Sequence, residues 1–306
     1  MIKNSAIYHR DNTVSAPSNI ALIKYMGLLD PEKKIPSNPS LSYTLMDIRT
    51  SIEIKKSDTD FIEAPVGQER YFRFYLFLKD KFSIKDKYHL KSSNNFPDSC
   101  GLASSASSFA ALTAAVAVLS GIEDFSNIAH ISRFGSGSSC RSFYKNFVTW
   151  SEDGVFAEEL PEMDLKHAVI LVDKKRKKIS SSMAHKIVTS SNHFKSRQTS
   201  VRERFHVLKE LIKNNSWDDA AIIIREEYLE MHNLFETSVP SFSYRTEKCK
   251  KIEQWLLNYT NIYGFSPWVT LDAGPNIHLL FPDKSIRSHC LNELSRSLNE
   301  VEVIYD

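Results

Sequence analysis

The sequence predicts an α+β protein that is divided into two domains. Its 306 residues are about twice the ~150 residues that one domain usually contains. Apolar residues make up 42% and charged residues 25% of the chain, which is typical of a globular protein. Helical and strand-like patterns are mixed in both halves, as in an α+β fold. The lysine- and serine-rich stretch near 175–190 indicates the boundary, so we expect domains at residues 1–180 and 181–306.

In the first domain, short patterns predict three strands and one long helix. Residues 52–54 and 71–75 combine alternation with β-branched or aromatic side chains, so both are predicted strands. Residues 106–119 are almost all Ala, Ser, Leu, Val and Phe, and this length and alanine content predict a buried helix. Residues 167–173 are an apolar run that predicts a fully buried strand.

The second domain alternates helical periodicity with short apolar runs. Apolar residues at helical spacing predict helices, and short apolar runs beside turn residues predict strands. The predicted helices are 201–212, 222–235, 252–259 and 283–298, and the predicted strands are 267–271, 277–281 and 301–304.

The charge balance gives no whole-molecule argument for a nucleic-acid or membrane partner, because 39 Lys and Arg oppose 37 Asp and Glu. The basic run at 174–178 is interpreted as a solvated loop, or as a source of positive field for a phosphorylated substrate. No apolar run reaches the ~20 residues of a membrane span, and the polar residues after Met1 lack a signal-peptide core. We therefore expect a cytoplasmic protein whose four cysteines, none in a Cys-x-x-Cys pair, are free thiols.

A first glycine–serine loop, residues 97–106, leads into the alanine-rich helix. Gly101 would let a ligand approach the main chain, and the helix N-terminus offers unpaired N–H groups. Ser104 and Ser105 add hydroxyl donors, so the loop suits a phosphate chain. A serine-rich helix cap without a ligand is an equal alternative. No Gly-Lys-Ser/Thr follows, so the loop is not a Walker A motif.

A second loop, residues 135–142, reads Gly-Ser-Gly-Ser-Ser-Cys-Arg-Ser. Its small residues would let a ligand lie against the main chain, and Arg141 supplies a planar fork that matches a carboxylate or a phosphate. A flexible linker has a similar composition. A linker has no need for a single arginine beside apolar residues such as Phe143, so we interpret the loop as a site.

A third loop, residues 272–276, reads Asp-Ala-Gly-Pro-Asn between two apolar runs. Asp272, at the end of a predicted buried strand, would suit a general base. Turn statistics alone favour a structural turn over a catalytic site.

In this order, the loops resemble motifs of the GHMP kinase superfamily, and most closely those of its diphosphomevalonate decarboxylase family. Residues 16–25 resemble the family's Ala-Pro-x-Asn-Ile-Ala-x-Ile-Lys-Tyr motif. Residues 94–97 and 101–106 resemble its phosphate loop. Residues 135–142 resemble its Gly-Ser-Gly-Ser-Ala-Cys-Arg-Ser motif, and residues 272–276 resemble its C-terminal Asp-Ala-Gly-Pro-Asn.

The resemblance implies a GHMP kinase fold, with a ribosomal-protein-S5-like N-terminal domain that binds ATP and a ferredoxin-like C-terminal domain. It also implies a homodimer that uses ATP and Mg²⁺ on a small-molecule substrate, phosphorylated mevalonate. The implied reaction is the ATP-dependent decarboxylation of mevalonate 5-diphosphate to isopentenyl diphosphate, in the mevalonate pathway of isoprenoid biosynthesis. ATP first phosphorylates the tertiary hydroxyl, and loss of that phosphate then drives the release of CO2.

The motif matches further imply roles for individual residues. Asp272 would orient or deprotonate the hydroxyl and then stabilise positive charge, and Arg141 would hold the substrate carboxylate. The other implied substrate-binding residues are Tyr25, Lys24, Asn38, Ser136, Gly137, Ser138 and Arg197. The implied ATP-binding residues are Asn94, Pro97, Gly101, Leu102, Ala103, Ser104 and Ser105, and no metal ligand is indicated.

Two departures from the family motifs bear on the substrate. The family's Lys-Tyr-Trp-Gly-Lys ends in Leu28 here, so a substrate-site lysine is replaced, and Asp98 introduces an acid into the phosphate loop. A mevalonate 5-phosphate decarboxylase, a mevalonate 3-kinase-like relative and a catalytically silent binding homologue are therefore alternatives. Retention of Asp272 and Arg141 argues against silence. Lys24, the run at 174–178 and Arg197 are the candidates to replace the missing charge.

Overall fold

The structure, a computed structural model, describes residues 5–64, 67–96, 104–173, 178–298 and 301–305. The first half of the chain forms β1 Tyr8–Arg10, β2 Thr13–Ile23, β3 Leu28–Asp30, β4 Ile35–Pro36, β5 Ser40–Lys56, β6 Phe61–Glu63, α1 Gln68–Lys81, β7 Tyr88–Asn94, α2 Ser104–Leu119, α3 Ala129–Ser132, a 3₁₀ helix at Gly137–Phe143, β8 Phe147–Ser151 and β9 Gly154–Ala157. The remainder forms β10 Lys166–Leu171, α4 Ser181–Ile187, α5 Phe194–Lys213, α6 Trp217–Glu236, α7 Glu247–Tyr263, β11 Trp268–Leu271, β12 Ile277–Phe281, α8 Lys284–Ser297 and β13 Glu302–Tyr305.

A seven-stranded sheet of the described residues organises the first half. Its order is β1-β2-β5-β7-β6, and β8 and β9 continue from β5. Among the described strands of this sheet, β6 and β7 pair in parallel and the other pairs are antiparallel. The helix α2 packs on β2 and β5, where its many alanines allow a close approach. Its Phe109 joins a core with Phe74 of α1 and Ile52 and Leu90 of the sheet.

The second half is built on a four-stranded antiparallel sheet with the order β11-β12-β10-β13. Leu256 of α7 and Leu294 of α8 form a core with Leu279 of this sheet. A separate core joins the two halves, because Ile20 of β2 belongs to the same buried cluster as Leu208 of α5. This shared core brings the end of β2 close to α6 and β11, where the candidate site lies.

Most of the predicted elements are confirmed, and one is wrong. The helix at 106–119, the four helices of the second domain and the strands at 52–54, 167–171, 268–271, 277–281 and 302–304 are present. Residues 71–75 lie in α1 and do not form a strand. Tyr71, Phe74, Tyr75 and Leu78 are buried at helical spacing, and this period extends beyond the short aromatic stretch that suggested a strand.

The strand order also bears on the domain boundary. β10 precedes residue 180, yet it pairs with β12 and β13 of the second sheet. A strand shares the core of the sheet that it completes, so the topology favours a division between β9 and β10 over the expected division at 180.

Among the described residues, no helix combines the length and the apolar character that crossing a bilayer requires. Cys140, Cys249 and Cys290 are buried free thiols, as expected, and Cys100 lies outside the described residues.

Candidate active site

The centre of the candidate site is an ion pair between the two halves of the molecule. Lys24 follows β2 and Asp272 follows β11, and the Lys24 Nζ lies 2.6 Å from the Asp272 Oδ1. The lysine side chain is 3% exposed and the aspartate side chain 36% exposed. Burial lowers the pKa of Lys24, and the Asp272 carboxylate opposes that shift. The pair therefore presents a solvent-facing carboxylate that is backed by a buried amine.

Arg141 lies on the 3₁₀ helix that the second glycine–serine loop forms. Its side chain is almost fully buried, with Nε donating to Asn19 Oδ1 at 3.3 Å and Nη1 donating to Ser40 Oγ at 3.0 Å. The guanidinium carbon is 5.8 Å from the ring centre of Tyr25 and 5.8 Å from that of Trp150. Its charge also contributes to lowering the pKa of Lys24, so it lies within electrostatic reach of the ion pair.

Asn19 fixes this loop, although it was not among the site residues that the sequence motifs predict. Its Nδ2 donates to the Ser138 carbonyl at 3.1 Å and to Ser142 Oγ at 2.8 Å, while its Oδ1 accepts from Arg141. Asn19 therefore orients both the backbone and the arginine of the loop. The available signal was its place in the motif at 16–25, five residues before Lys24.

The predicted phosphate-binding helix and the second loop meet through serine hydroxyls. Ser136 Oγ lies 3.4 Å from Ser105 Oγ and 3.3 Å from Ser138 Oγ. Ser104 and Ser105 begin α2, and the first N–H groups of a helix have no partner within the helix and lie at the positive end of its dipole. Pro97, Gly101, Leu102 and Ala103 were also predicted to bind ATP and lie outside the described residues.

Tyr25 forms the wall between the ion pair and the serine loop. Its ring packs edge-on against Trp150, with 4.6 Å between ring centres, and stacks on His185 at 4.6 Å. A Cβ at Gly137 would overlap the Tyr25 hydroxyl, so glycine is needed for the close approach of the loop. Burial raises the pKa of Tyr25, which therefore remains a hydroxyl donor.

His185, on α4, carried no signal in the sequence. Its Nδ1 accepts a hydrogen bond of 3.0 Å from the backbone N–H of Gly27. Burial, together with the charge of Lys34, lowers its pKa to about 4, so the ring is neutral near pH 7. A neutral ring stacked on Tyr25 restricts that side chain without adding charge.

Two predicted substrate-binding residues are engaged inside the protein. Asn38 is fully buried, and its Nδ2 donates to the carbonyls of Lys24 and Pro39 at 3.0 and 2.8 Å. Arg197 is also fully buried and contacts the carboxylates of Glu227 and Glu230. Both groups hold the segment around Lys24, and their polar atoms face protein in the structure.

Asn94, a predicted ATP-binding residue, lies at the end of β7. Its Oδ1 accepts a hydrogen bond of 2.7 Å from Thr50 Oγ1, which is also 2.7 Å from Ser107 Oγ of α2. Asn94 therefore helps to tie the central sheet to the first turns of α2. Within the described ranges, no three His, Cys, Asp or Glu side chains are grouped as metal ligands.

These features define a class of enzyme for a small anionic substrate. A lysine-backed carboxylate, a buried arginine and a tyrosine lie close together, and Ser136 of the same loop as the arginine reaches Ser105 in the first turn of α2. Such a set can orient a hydroxyl, hold an anionic group and receive phosphates.

Comparisons with known proteins specify the family. The model of the diphosphomevalonate decarboxylase-like N-terminal domain matches residues 16–160, and that of the mevalonate 5-diphosphate decarboxylase C-terminal domain matches residues 167–304. The chain is 32% identical to the diphosphomevalonate decarboxylase of Saccharomyces cerevisiae, over 88% of this chain and 77% of that protein. It therefore belongs to the diphosphomevalonate decarboxylase family.

Solved structures support the same relationship. A mevalonate diphosphate decarboxylase from Legionella pneumophila has a TM-score of 0.86 and 37% identity, covering 95% of this chain and 99% of that one. A structure described as MDDEF in complex with MVAPP, AMPPCP and magnesium has a TM-score of 0.85 and 28% identity, covering 96% and 95% of the two chains. The two-domain α+β fold predicted from the sequence is thus confirmed.

Proposed function

We propose that this chain catalyses the ATP-dependent decarboxylation of mevalonate 5-diphosphate to isopentenyl diphosphate, with release of CO2, ADP and phosphate. The observation that carries the proposal is the Lys24–Asp272 pair, 2.6 Å between Nζ and Oδ1, next to a buried Arg141. A silent binding homologue would have no need for a carboxylate that is held by a buried lysine and partly open to solvent.

Asp272 acts on the 3-hydroxyl. Its carboxylate accepts a hydrogen bond from the hydroxyl, orients the oxygen toward the terminal phosphate of ATP and takes up the proton during transfer. Lys24 stabilises the charged form of Asp272 and contributes positive charge near the phosphoryl group. The proton then passes from Asp272 to solvent, which the partly exposed side chain can reach, so that a charged carboxylate faces the carbocation-like carbon when the new phosphate leaves.

Arg141 holds the carboxylate that is lost as CO2. Its guanidinium donates hydrogen bonds to Asn19 and Ser40, so the protein fixes its orientation. A planar, oriented fork keeps the carboxylate in line for C–C cleavage. Tyr25, Ser136, Gly137 and Ser138 form the neighbouring wall, with hydroxyl donors for substrate oxygens.

ATP binds with its phosphates at the start of α2. Ser104, Ser105 and Ser136 supply hydroxyls there, and the α2 N-terminus supplies N–H groups. Binding by Asn94, Pro97, Gly101, Leu102 and Ala103 stays a prediction. Mg²⁺ commonly keeps waters and phosphate oxygens as ligands, so it fits a site of serine oxygens even though the described residues form no carboxylate cluster there, and it would neutralise charge on the phosphates.

Asn38 and Arg197 are assigned an indirect role in place of direct substrate contact. Asn38 Nδ2 and Arg197 Nη2 both donate to the Lys24 carbonyl, at 3.0 and 3.1 Å. Turning either side chain toward the substrate would break hydrogen bonds of a fully buried group. Loss of such bonds lowers the stability of the fold.

Several finer points remain predictions that accompany this function. They are the S5-like and ferredoxin-like assignment of the two domains, the homodimer and the cytoplasmic location. The antiparallel order of the second sheet, with α7 and α8 sharing its core, is compatible with the ferredoxin-like assignment.

The decisive experiment offers the purified protein ATP, Mg²⁺ and one of three substrates, which are mevalonate, its 5-phosphate and its 5-diphosphate. CO2 and ADP are measured together. Equal release of both from the diphosphate supports the proposal. Preference for the monophosphate would identify a monophosphate decarboxylase, ADP without CO2 would identify a kinase, and neither product from any substrate would support the silent homologue.

A further inference from the structure

Helix α6 runs behind the ion pair and contacts both of its members. Glu227 and His232 lie five residues apart on this helix, and both side chains are fully buried. Glu227 contacts the Lys24 segment from the first half of the molecule, and His232 contacts the Asp272 segment from the second half. One rigid element thus touches both sides of a pair that the chain assembles from residues 248 positions apart.

On the lysine side, a buried Arg–Glu pair binds both polar groups of one peptide backbone. Glu227 Oε1 accepts a hydrogen bond of 3.1 Å from the Lys24 N–H, and Arg197 Nη2 donates one of 3.1 Å to the Lys24 carbonyl. Arg204 Nε donates to the other Glu227 oxygen at 3.0 Å. The Lys24 backbone is therefore held by charged groups that are themselves paired, which restricts where its side chain can begin.

On the aspartate side, the contact is a hydrogen bond to the backbone of Asp272. His232 Nε2 lies 3.1 Å from the Asp272 carbonyl oxygen. Because a carbonyl only accepts, Nε2 carries the proton, and Nδ1 is then a buried lone pair without a partner among the described residues. Burial lowers the pKa of His232 to about 3, so the ring stays neutral and keeps this tautomer.

We propose that Glu227 and His232 are positioning residues that together hold Lys24 and Asp272 in their reactive geometry. This inference rests on the proposed function. Packing alone does not require these groups, because apolar residues of similar volume often serve a core as well as a buried ion pair does. Glu227 bonds to the backbone of Lys24 and His232 bonds to the backbone of Asp272, and the side chains of Lys24 and Asp272 form the ion pair. Small displacements of reacting groups can cost about 10²-fold in rate, so fixing both backbones has a direct effect on turnover.

The test on the aspartate side compares two replacements of His232. His232→Gln keeps an N–H donor near the position of Nε2, whereas His232→Phe keeps a ring and removes the donor. We expect His232→Phe to lower kcat roughly 10- to 100-fold, with the KM for substrate and the affinity for ATP within about 3-fold of wild type. His232→Gln should recover most of the lost kcat. Equal losses in both variants would assign His232 to packing.

The route of the effect is tested in an Asp272→Asn background. If His232 acts through Asp272, adding His232→Phe to that variant should lower kcat by no more than about 2-fold, because the group it positions is already gone. A loss as large as in the wild-type background would overturn the proposal. If the wild-type protein releases no CO2 from any of the three substrates, the proposed function fails and this inference fails with it, whereas an active wild type with independent effects overturns the inference alone.

The lysine side is tested with charge-matched double variants, because Glu227→Gln alone would leave buried arginines uncompensated. Glu227→Gln with Arg204→Gln keeps an acceptor for the Lys24 N–H, and Glu227→Met with Arg204→Met removes it. We expect kcat within about 3-fold of wild type for the first and at least about 10-fold lower for the second, at similar substrate KM. Glu226→Gln, at an exposed position of α6, is the matched control and should behave as wild type. Equal kcat in the two double variants would remove Glu227 from the proposal.

Discussion

At Asp272, one carboxylate oxygen lies 2.6 Å from the Lys24 Nζ while the side chain remains 36% exposed. Asp272→Asn keeps the shape and removes the base. We expect the fold and the nucleotide affinity to be retained and turnover to fall by ~10²-fold or more, the usual scale for a lost acid–base group. CO2 release and ATP binding measure the two quantities. Turnover within a few-fold of wild type would assign Asp272 to turn structure.

A substitution of Arg141 can separate the effect of side-chain geometry on turnover from the effect of its charge. Arg141→Lys keeps the positive charge but cannot form two parallel hydrogen bonds to a carboxylate, and it also loses the contacts to Asn19 and Ser40. We expect kcat to fall by about 10-fold or more, on the scale of one or two charge-assisted hydrogen bonds. Steady-state CO2 release measures it. A lysine variant with wild-type kcat would mean that another group holds the carboxylate.

Leu28 stands where the family motif has a lysine, so its substitution tests how the substrate phosphates are recognised. A missing charge-assisted contact costs ~1.5–3 kcal/mol, or roughly 10- to 150-fold in affinity. Of the candidates to replace it, Lys24 and Arg197 are engaged with Asp272 and Glu227, and 174–177 lie outside the described residues. Lys34 adds a further candidate, because its charge acts on His185, which stacks on Tyr25.

If another cation compensates, Leu28→Lys should change the KM for the diphosphate only slightly, whereas Lys34→Ala should raise it by about 10-fold or more. KM values for the 5-phosphate and the 5-diphosphate are measured for both variants. The opposite result is a wild type that uses the monophosphate far better, with the order reversed by Leu28→Lys. The chain would then be a monophosphate decarboxylase.

At the scale of single elements, period and small-residue content predicted most of the fold correctly. The alanine-rich helix α2 was evident because its composition suits a helix that is buried on most sides. The segment 71–75 was misassigned because five aromatic-rich residues cannot distinguish a strand from one face of a helix, and Leu78 completes the helical period. The contacts of Asn38, Arg197 and His185 could not be predicted, because their partners come from distant parts of the chain.

The second glycine–serine loop gives an element-scale prediction. A Cβ at Gly137 would overlap the Tyr25 hydroxyl and lie 3.0 Å from the Trp150 ring. We expect Gly137→Ala to lower the free energy of unfolding by about 1–3 kcal/mol, the usual cost of overpacking. Adding Tyr25→Phe removes the overlapping oxygen and should restore much of that loss in urea unfolding. No difference between the single and double variants would show that the loop moves away from Tyr25.

At the scale of the whole molecule, the site depends on the core shared by the two halves. Lys24 extends from a strand whose Ile20 packs in the same cluster as Leu208 and Trp268, and Asp272 follows the strand that contains Trp268. The ion pair is therefore formed only when both halves are folded and docked. Sequence motifs indicate that these residues belong to one site. They do not predict how the two halves pack together, because that packing depends on apolar contacts spread along the chain.

Buried histidines make this assembly sensitive to acid. His167 of β10 is fully buried, its Nε2 lies 3.0 Å from His278 Nδ1, and burial holds its pKa well below 6.5. Burial also lowers the pKa of His232 to about 3. In the unfolded chain a histidine has a pKa of about 6.5, so below that pH the unfolded state binds more protons. The contribution of these two neutral histidines to the free energy of unfolding is therefore fully present above pH 6.5. It is lost as the pH falls toward their pKa values in the folded state.

Each of these histidines contributes a slope of at most about 1.4 kcal/mol per pH unit within that window. We expect the free energy of unfolding in urea to decrease steadily from pH 7 to pH 5, above the range in which most carboxylates titrate. His167→Met removes one titrating group, so its slope should be flatter even if its stability at pH 7 is lower. His206→Gln, at an exposed position of α5, should keep the wild-type slope. If His167→Met loses stability with acid as steeply as wild type does, then His167 binds no more protons in the unfolded state than in the folded state, and the acid sensitivity arises at other groups.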